Sequence, residues 1–350
     1  MGNGRVNNSR KAAAAQQMSV EAKPANQPVV FSLPEPVMPD MWLTDYDTLF
    51  FDEYRQCWEP PIDRHLLARL TRDNPHHGGI VHSRANMAAA RYQRGGLDFQ
   101  QVKATFLNLV QFGDVALLKI RNGFKQPVRL FPLPSYRTRY GVDGGAVVLE
   151  RNNTFRTYAA KDVIWCKQYD PIQQVYGGVD YIGGLQSALL NKDATLFRRK
   201  YYINGAHMGF ILYTNDPNMD VDTEKLLRTK IQESRGVGNF QSLFVNIPDG
   251  GEKGVQIIPV GNFESKDEFL NVKNVSAQDV LVAHRFPPGL AGIIPSNTAG
   301  LGNPNAYDGV YFRNETKLLI KLLVDAVERD AEVPRSLKLV FDLSEANSAA

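Results

Sequence analysis

From residue 99 onward the chain switches between two hydrophobic periods, and the switches mark its elements. Phe99 to Phe112 carries Val102, Phe106, Leu109 and Val110 at helical spacing, and Gly113 follows as a helix stop. The period then shortens. Val115–Ile120, Val128–Phe131, Ala146–Leu149, Thr154–Tyr158 and Val163–Cys166 are short runs separated by Gly, Pro and Asn. They predict one antiparallel sheet packed on the preceding helices. Leu185 to Asn204 is the longest predicted helix. One face carries Leu185, Leu189, Leu196 and Ile203 together with Lys192 and Arg199, and a second stripe carries Leu190, Ala194, Phe197 and Tyr201. Apolar residues on two sides imply more than one neighbour. A core helix with snorkelling basic ends accounts for the same pattern equally well.

The next stretch, 206–260, reads as a βαββ insert, with strands Met208–Tyr213, Leu243–Ile247 and Val255–Val260 around a polar helix from Asp222 to Ser234. Ser265 with Glu268, and Ser276 with Asp279, each have the spacing of a capping box and predict two successive helices, the second ending at Pro287-Pro288. Residues 295–309 have no periodicity and predict a mobile loop. An amphipathic helix follows, with Phe312, Leu319, Leu323 and Val327 on one side and Asn314, Lys317, Lys321, Asp325 and Glu328 on the other. Leu337–Leu343 closes the pattern as a strand. Before residue 99 the signals are local. Residues 1–39, rich in Ala, Gln, Asn and Pro, read as a disordered arm, and the cluster Trp42, Tyr46, Phe50 and Phe51 marks the start of a folded body. Pro60-Pro61 forces an extended break, Arg64–Leu70 is a short helix, and Asn74–Gly79 reads as a turn. The fold class is α+β.

Charge narrows the possible partners. The net charge is +3, and residues 1–30 hold all of that excess: Arg5, Arg10, Lys11 and Lys23 against Glu21. The remainder is close to neutral, so it lacks the broad excess of Lys and Arg needed to grip phosphates tightly. Two cysteines, Cys57 and Cys166, cannot build a disulfide framework or, without clustered histidines, a structural zinc site. Apolar runs are short; Leu318–Val324 is already broken by Lys321, so no membrane partner is expected. The opening residues have no apolar core of secretory type, and Val6 stands where a myristoylation signal has Ser or Thr, which predicts a cytoplasmic site of synthesis and assembly.

Catalytic patterns are missing. Gly-Lys does not occur, which removes the phosphate loop of common motor ATPases, and neither His-Glu-x-x-His nor Gly-x-Ser-x-Gly is present. His76, His77 and His82 could be imagined as ligands of a metal-dependent nuclease. Their setting around an Asn-Pro and Gly-Gly turn, with only Asp73 as a nearby carboxylate, favours solvated loop histidines. No catalytic residue, metal ligand or cofactor is assigned, and the expectation is a protein that is not an enzyme. Arg198-Arg199-Lys200 could contact phosphate or form a solvated or inter-subunit helix face.

Several short motifs then occur in a telling order. They are Trp58-Glu59-Pro60-Pro61, Phe112-Gly113-Asp114, Tyr176-Gly177-Gly178, and Ala194-Thr195-Leu196-Phe197-Arg198-Arg199-Lys200-Tyr201-Tyr202 with Asn204-Gly205-Ala206-His207. Lys266-Asp267-Glu268-Phe269 and Ala283-His284-Arg285-Phe286-Pro287 follow. In this order they closely resemble the PBSX family of phage portal proteins, from contractile-tailed temperate phages, over roughly residues 38–343. One departure is visible: the family often has a proline shortly after Arg-Asn-Glu, whereas Arg313-Asn314-Glu315 runs on to Leu318, which predicts an unkinked helix.

The resemblance implies a portal fold assembled as a dodecameric ring around a DNA channel at one capsid vertex. It serves genome packaging, head–tail joining and DNA ejection. In these terms 1–39 is the arm, 40–178 the wing, 179–204 the first stem helix, 205–262 the clip, 263–290 the second stem helix, 291–309 the channel loop and 310–350 the return to the wing. The implied contacts are Asn297, Thr298, Leu301, Asn303 and Asn305 of the loop with DNA. Lys192, Phe197, Arg198, Arg199 and Lys200 would be stem interface or channel residues, and Glu224, Lys225 and Arg228 clip residues. The implied partners are further copies of the chain, the terminase large subunit on the clip, scaffold and major capsid protein, head-completion and tail-connector proteins, and double-stranded DNA passing without sequence preference. The competing expectations are the nuclease and a self-associating adaptor with no defined hole.

Overall fold

The computed structural model describes residues 49–203, 210–214, 243–246, 255–259, 266–291 and 303–344, with Asp222, Lys225, Leu226 and Thr229. The arm expected over 1–39, with Trp42 and Tyr46, lies outside the described residues. Strands β1 (Phe51–Asp52) and β2 (Cys57–Trp58) pair antiparallel ahead of the proline pair. Helices α1 (Arg64–Asp73) and α2 (Pro75–Ala89) follow. The turn expected at Asn74–Gly79 is therefore a helix start. Asn74 caps α2 by accepting from the His77 N–H at 3.0 Å, and Pro75 sits at the first helical position, where a missing N–H costs nothing. Gly78, part of the Gly-Gly read as a turn, is where the two helices nearly touch: a Cβ there would lie 2.0 Å from the Thr71 carbonyl oxygen.

Strand β3 (Tyr92–Arg94) leads into α3 (Phe99–Phe112), which has the bounds its periodicity predicts. Asp98 accepts from Gln101 N–H at 2.8 Å while the Gln101 side chain accepts from Asp98 N–H at 3.1 Å, a reciprocal cap. Gly113 ends the helix in the left-handed region at φ 80°.

The strand block forms two sheets, where one was expected. β4 (Asp114–Arg121), β5 (Pro127–Pro132) and β9 (Val163–Lys167) make one, ordered β5-β4-β9. β6 (Thr138–Gly141), β7 (Ala146–Leu149) and β8 (Phe155–Tyr158) extend the first hairpin into a five-stranded sheet, β1-β2-β6-β7-β8. The physical reason lies in β4. Val115 and Leu117 enter the helical core while Ala116 and Leu118 enter a second core against Ala146 and Val163. A strand buried on both faces needs a layer on each side. β6 escapes the pattern because Thr-Arg-Tyr-Gly has one large apolar side chain.

Helix α4 (Leu185–Ile203) matches the long predicted helix. β10 (Phe210–Thr214), β11 (Leu243–Asn246) and β12 (Val255–Pro259) form a sheet ordered β11-β10-β12, with β10 parallel to β11 and antiparallel to β12. A parallel pair needs a crossover; Asp222, Lys225, Leu226 and Thr229 of the expected crossover helix are helical and exposed. Helix α5 (Lys266–Ala283) is continuous, so the second capping box is not one. Ser276 instead lies inside the helix, where its buried hydroxyl donates to the Val272 carbonyl at 2.7 Å. After the short α6 (Pro288–Ala291), α7 (Pro304–Tyr311) passes through a π-helical turn (Phe312–Thr316) into α8 (Lys317–Glu328). Residues 304–309 of the expected loop are thus helical, and 292–302 lie outside the described residues. The terminal strand shrinks to β13 (Val340–Phe341), paired with β3, because Arg335–Leu337 forms a 3₁₀ turn.

One core joins α2, α3 and α8 to the β5-β4-β9 sheet through Ala85, Phe106, Leu109, Leu117, Leu130, Ile320 and Leu323. A second core, through Leu67, Leu70, Ile80, Tyr181, Leu185, Val280, Leu281 and Phe286, fastens α1 and α2 to one end of the α4–α5 pair.

Candidate functional site

Helices α4 and α5 lie antiparallel, and their register can be read from pairs of contacts. Gly184 meets Ala283, Ser187 Oγ lies 3.1 Å from Asp279 Oδ2, and Asn191 Nδ2 donates to Lys273 O and Ser276 Oγ, each at 2.9 Å. Small and polar side chains thus occupy these contact positions, while some large apolar ones face outward. On α5, Val272, Val275 (59% exposed) and Val282 (75% exposed) are spaced by three and seven residues on one face; on α4, Leu190 and Leu196 are exposed on different sides of that helix. An apolar stripe of this kind on a helix is ordinarily covered.

The basic residues of α4 divide. Lys192 Nζ lies 3.1 Å from Asp73 Oδ2 at the end of α1. Phe197 and Arg198 are half-buried and Arg199 is exposed; the Lys200 side chain lies outside the described residues. Lys225 is exposed, whereas Glu224 and Arg228 lie outside them. Asn303 is exposed just ahead of α7, Asn305 is in α7, and Asn297, Thr298 and Leu301 lie outside the described residues.

At the foot of the α4–α5 pair, four distant stretches converge in a buried polar cluster that periodicity gave no hint of. Arg84 of α2 clamps Asp180 with both terminal nitrogens, at 3.0 and 2.5 Å. Its Nη1 also lies 3.2 Å from His284 Nδ1, and His284 Nε2 lies 2.9 Å from His77 Nδ1. Tyr181 stacks on His284 at 4.8 Å. Arg285 has φ 51°, the left-handed conformation that favours glycine, in the turn where Phe286 N–H closes back on Leu281 O. From there its guanidinium reaches Glu315 in the π turn at 2.7 and 2.9 Å and Asp180 at 3.0 Å. Burial would raise Asp180, but the Arg84 bonds outweigh it and hold the carboxyl below its usual range. Burial, reinforced by the Arg84 charge, lowers His77 to about 4. Burial, His77 and Arg84 lower His284 to about 2. Both imidazoles are neutral at pH 7.

The early sequence motifs meet in a second cluster. Arg64 of α1 pairs with the buried Asp114 at 2.5 Å, donates to the Ser135 and Thr138 carbonyls, and lies over the Tyr176 ring at 4.9 Å. Tyr176 donates to the Trp58 carbonyl and accepts from Tyr140 N–H at 2.8 Å. At Gly113 a Cβ would sit 2.5 Å from the Gly178 oxygen, so Phe-Gly-Asp and Tyr-Gly-Gly are in backbone contact. Burial raises the Asp114 carboxyl despite Arg64. Sequence order revealed these motifs but not that they touch.

The three candidate histidines are helical, which corrects the loop reading. His77 is buried in the foot cluster, His82 is exposed on α2, and burial lowers the half-buried His76. Among the described residues, one group of three or more potential metal ligands converges: Asp52, Cys57 and Glu59. Its carboxylates are engaged by Arg55 at 2.9 Å and Arg139 at 2.7 Å, which makes it a poor cation site. No described helix is long and apolar enough to cross a membrane.

Comparison with known proteins gives a consistent result. A family model described as phage portal protein matches residues 89–346. A probable portal protein of Haemophilus phage HP1 is 53% identical over 304 residues, covering 85% of this chain and 88% of that protein. Among solved structures, a chain of the native gene transfer agent virion superposes with a TM-score of 0.58 at 17% identity, covering 87% of this chain and 90% of its own. An HK97-family portal protein from Corynebacterium diphtheriae gives 0.50 at 12% identity, covering 79% and 92%.

Proposed function

The chain belongs to the phage portal protein family, and from that premise we propose that it is one subunit of a dodecameric ring enclosing the DNA channel at a capsid vertex. Portal proteins are structural components, which fits a chain whose polar clusters are engaged in holding elements together. The observation that carries the ring is the outward apolar stripe Val272, Val275 and Val282 on α5, with Leu190 and Leu196 exposed on different sides of α4. A closed ring needs heterologous contacts between different faces of one subunit, and a hairpin with apolar side chains on several faces supplies them.

In this reading 40–178 and 310–350 form the wing, α4 and α5 the stem, and 205–262 the clip. The clip, with Glu224, Lys225 and Arg228, docks the terminase and later the connector proteins, while scaffold and capsid protein meet the outside of the ring. The channel loop shortens to 292–303, because α7 begins at Pro304; its Asn297, Thr298, Leu301 and Asn303 touch DNA, and Asn305 belongs to the helix behind them. Lys192 braces the stem on α1 through Asp73, which leaves Arg198, Arg199 and Lys200 as the stem's interface or channel charges. Near-neutrality outside 1–30 suits a wall past which DNA must slide, since many phosphate contacts would stall it. The PBSX-type subgroup and assembly in the host cytoplasm rest on the motif order.

The test is a Val275→Asp/Val282→Asp variant of the full chain. The expected result is loss of rings with circular dichroism and melting of the subunit unchanged. Rings that persist would remove the stripe from the interface. Deleting 297–302 should leave rings intact and lower the DNA retained per particle; loss of rings would overturn the loop assignment.

A further inference from the structure

The foot cluster contains hydrogen bonds whose direction is fixed. Arginine can only donate, so His284 Nδ1 accepts from Arg84, and the His284 proton must sit on Nε2. His284 Nε2–H therefore donates to His77 Nδ1, and His77 carries its own proton on Nε2, which faces Thr71 Oγ1 at 3.4 Å. Thr71 in turn donates to the Leu67 carbonyl at 3.0 Å and accepts from Gln111 Nε2 at 3.0 Å. Each ring nitrogen already has one role in this chain. A proton added at His284 Nδ1 would point at the Arg84 donor; one added at His77 Nδ1 would point at the His284 donor. Exchanging the tautomers does not help, because any imidazolium is a donor at both nitrogens.

The setting gives the added charge nowhere to go. From the segment before α4, Asp180 faces the pair but is already held by Arg84 and Arg285, and Tyr181 stacks on His284 and meets His77 edge-on. From the end of α5 comes Arg285; from the π turn, Glu315 is engaged by Arg285. From α1 comes Thr71, which Gln111 of α3 holds, and neither carries a charge. His77 lies in α2 and His284 just past the end of α5, so the pair is one of the contacts that join the hairpin to the helices it stands on.

We propose that the His77–His284 pair is an acid-opened latch: a proton on either ring releases the foot of the α4–α5 hairpin from α1 and α2 while the sheet-backed core stays folded. The two cores fit this division, since Tyr181, which packs against both rings, belongs to the Leu67–Val280–Leu281 cluster and not to the Phe106–Leu117–Ile320 one. The stability sign agrees. Both rings bind protons more weakly folded than unfolded, so the latch holds above about pH 6.5 and weakens as pH falls toward about 4.

The test is hydrogen exchange with mass spectrometry on the full chain between about pH 7 and about pH 4, corrected for the intrinsic pH dependence of exchange. Amides of 278–286 should lose at least tenfold more protection than those of 102–118. His77→Asn keeps an acceptor near the His284 donor but removes one proton site, and should move the midpoint to lower pH; His82→Asn, on the exposed face of α2, should not move it. Parallel loss in both regions of the wild-type chain would overturn the proposal. So would an unmoved midpoint in a His77→Asn chain that is fully protected at neutral pH.

Discussion

Replacing Arg64 by Met tests how the motif cluster is held together. The guanidinium is 3% exposed and makes three bonds, to Asp114 Oδ2 and to the Ser135 and Thr138 carbonyls, while lying over the Phe112 and Tyr176 rings. Its removal leaves a buried carboxylate without its counter-charge; Asp114 Oδ1 already has no hydrogen-bond partner of its own. Breaking such a pair costs about 3–5 kcal/mol, because the remaining ion stays desolvated. At about 2 °C per kcal/mol for a chain of this length, Arg64→Met should melt roughly 6–10 °C lower. Thermal unfolding at fixed protein concentration measures this. The double variant Arg64→Met/Asp114→Leu removes both charges and should recover more than half of the loss, since an apolar replacement of a buried pair is often close to neutral. A pH series adds a sign. Burial already raises Asp114, and without Arg64 its carboxyl rises further, so the folded single variant binds a proton more readily than the unfolded chain; its deficit should shrink as pH falls. A single variant within about 1 kcal/mol of wild type, or a double variant as unstable as the single one, would refute the reasoning.

Further outcomes follow from neighbouring features. Gly78→Ala should destabilise the protein strongly, because its Cβ would overlap the Thr71 carbonyl, whereas Gly79→Ala, with open space around it, should stabilise α2 by about 0.5–1 kcal/mol; paired melts decide. Gly113→Ala should cost more than about 2 kcal/mol in the same assay, from φ 80° and from contact with Gly177 and Gly178. Glu332 accepts from Lys119 at 2.8 Å and Arg121 at 2.6 Å, which lowers it to about 2. Its contribution is complete above its ordinary value near 4.5 and is lost as pH falls toward about 2, so Glu332→Gln should flatten the acid limb of stability against pH, and high salt should shrink the difference because the group is exposed.

Much of the fold was legible because it is local. Helix α3 has the bounds its periodicity and Gly113 dictate, and the long helix α4 follows its apolar spacing from Leu185 to Ile203. What misled was chemistry that serves two purposes. Asn-Pro begins a turn or a helix with equal ease, and the choice at Asn74 was made by packing, where Asn74 Nδ2 also donates to the Ala188 carbonyl at 2.7 Å. Ser276 has the spacing of a cap but is buried against Asn191 of α4. Of the site, the resemblance marked Ala283-His284-Arg285-Phe286-Pro287 and Phe112-Gly113-Asp114 as important and gave no partners. Arg64 is 50 residues from Asp114 and His77 is 207 residues from His284, and one sequence carries no signal that joins them.

The most direct test of the ring is native mass spectrometry with negative-stain images of the purified full chain. The proposed function predicts closed rings of one copy number with a central hole wide enough for duplex DNA. A single species of stable monomer, or open filaments with no closure, would contradict the proposed function.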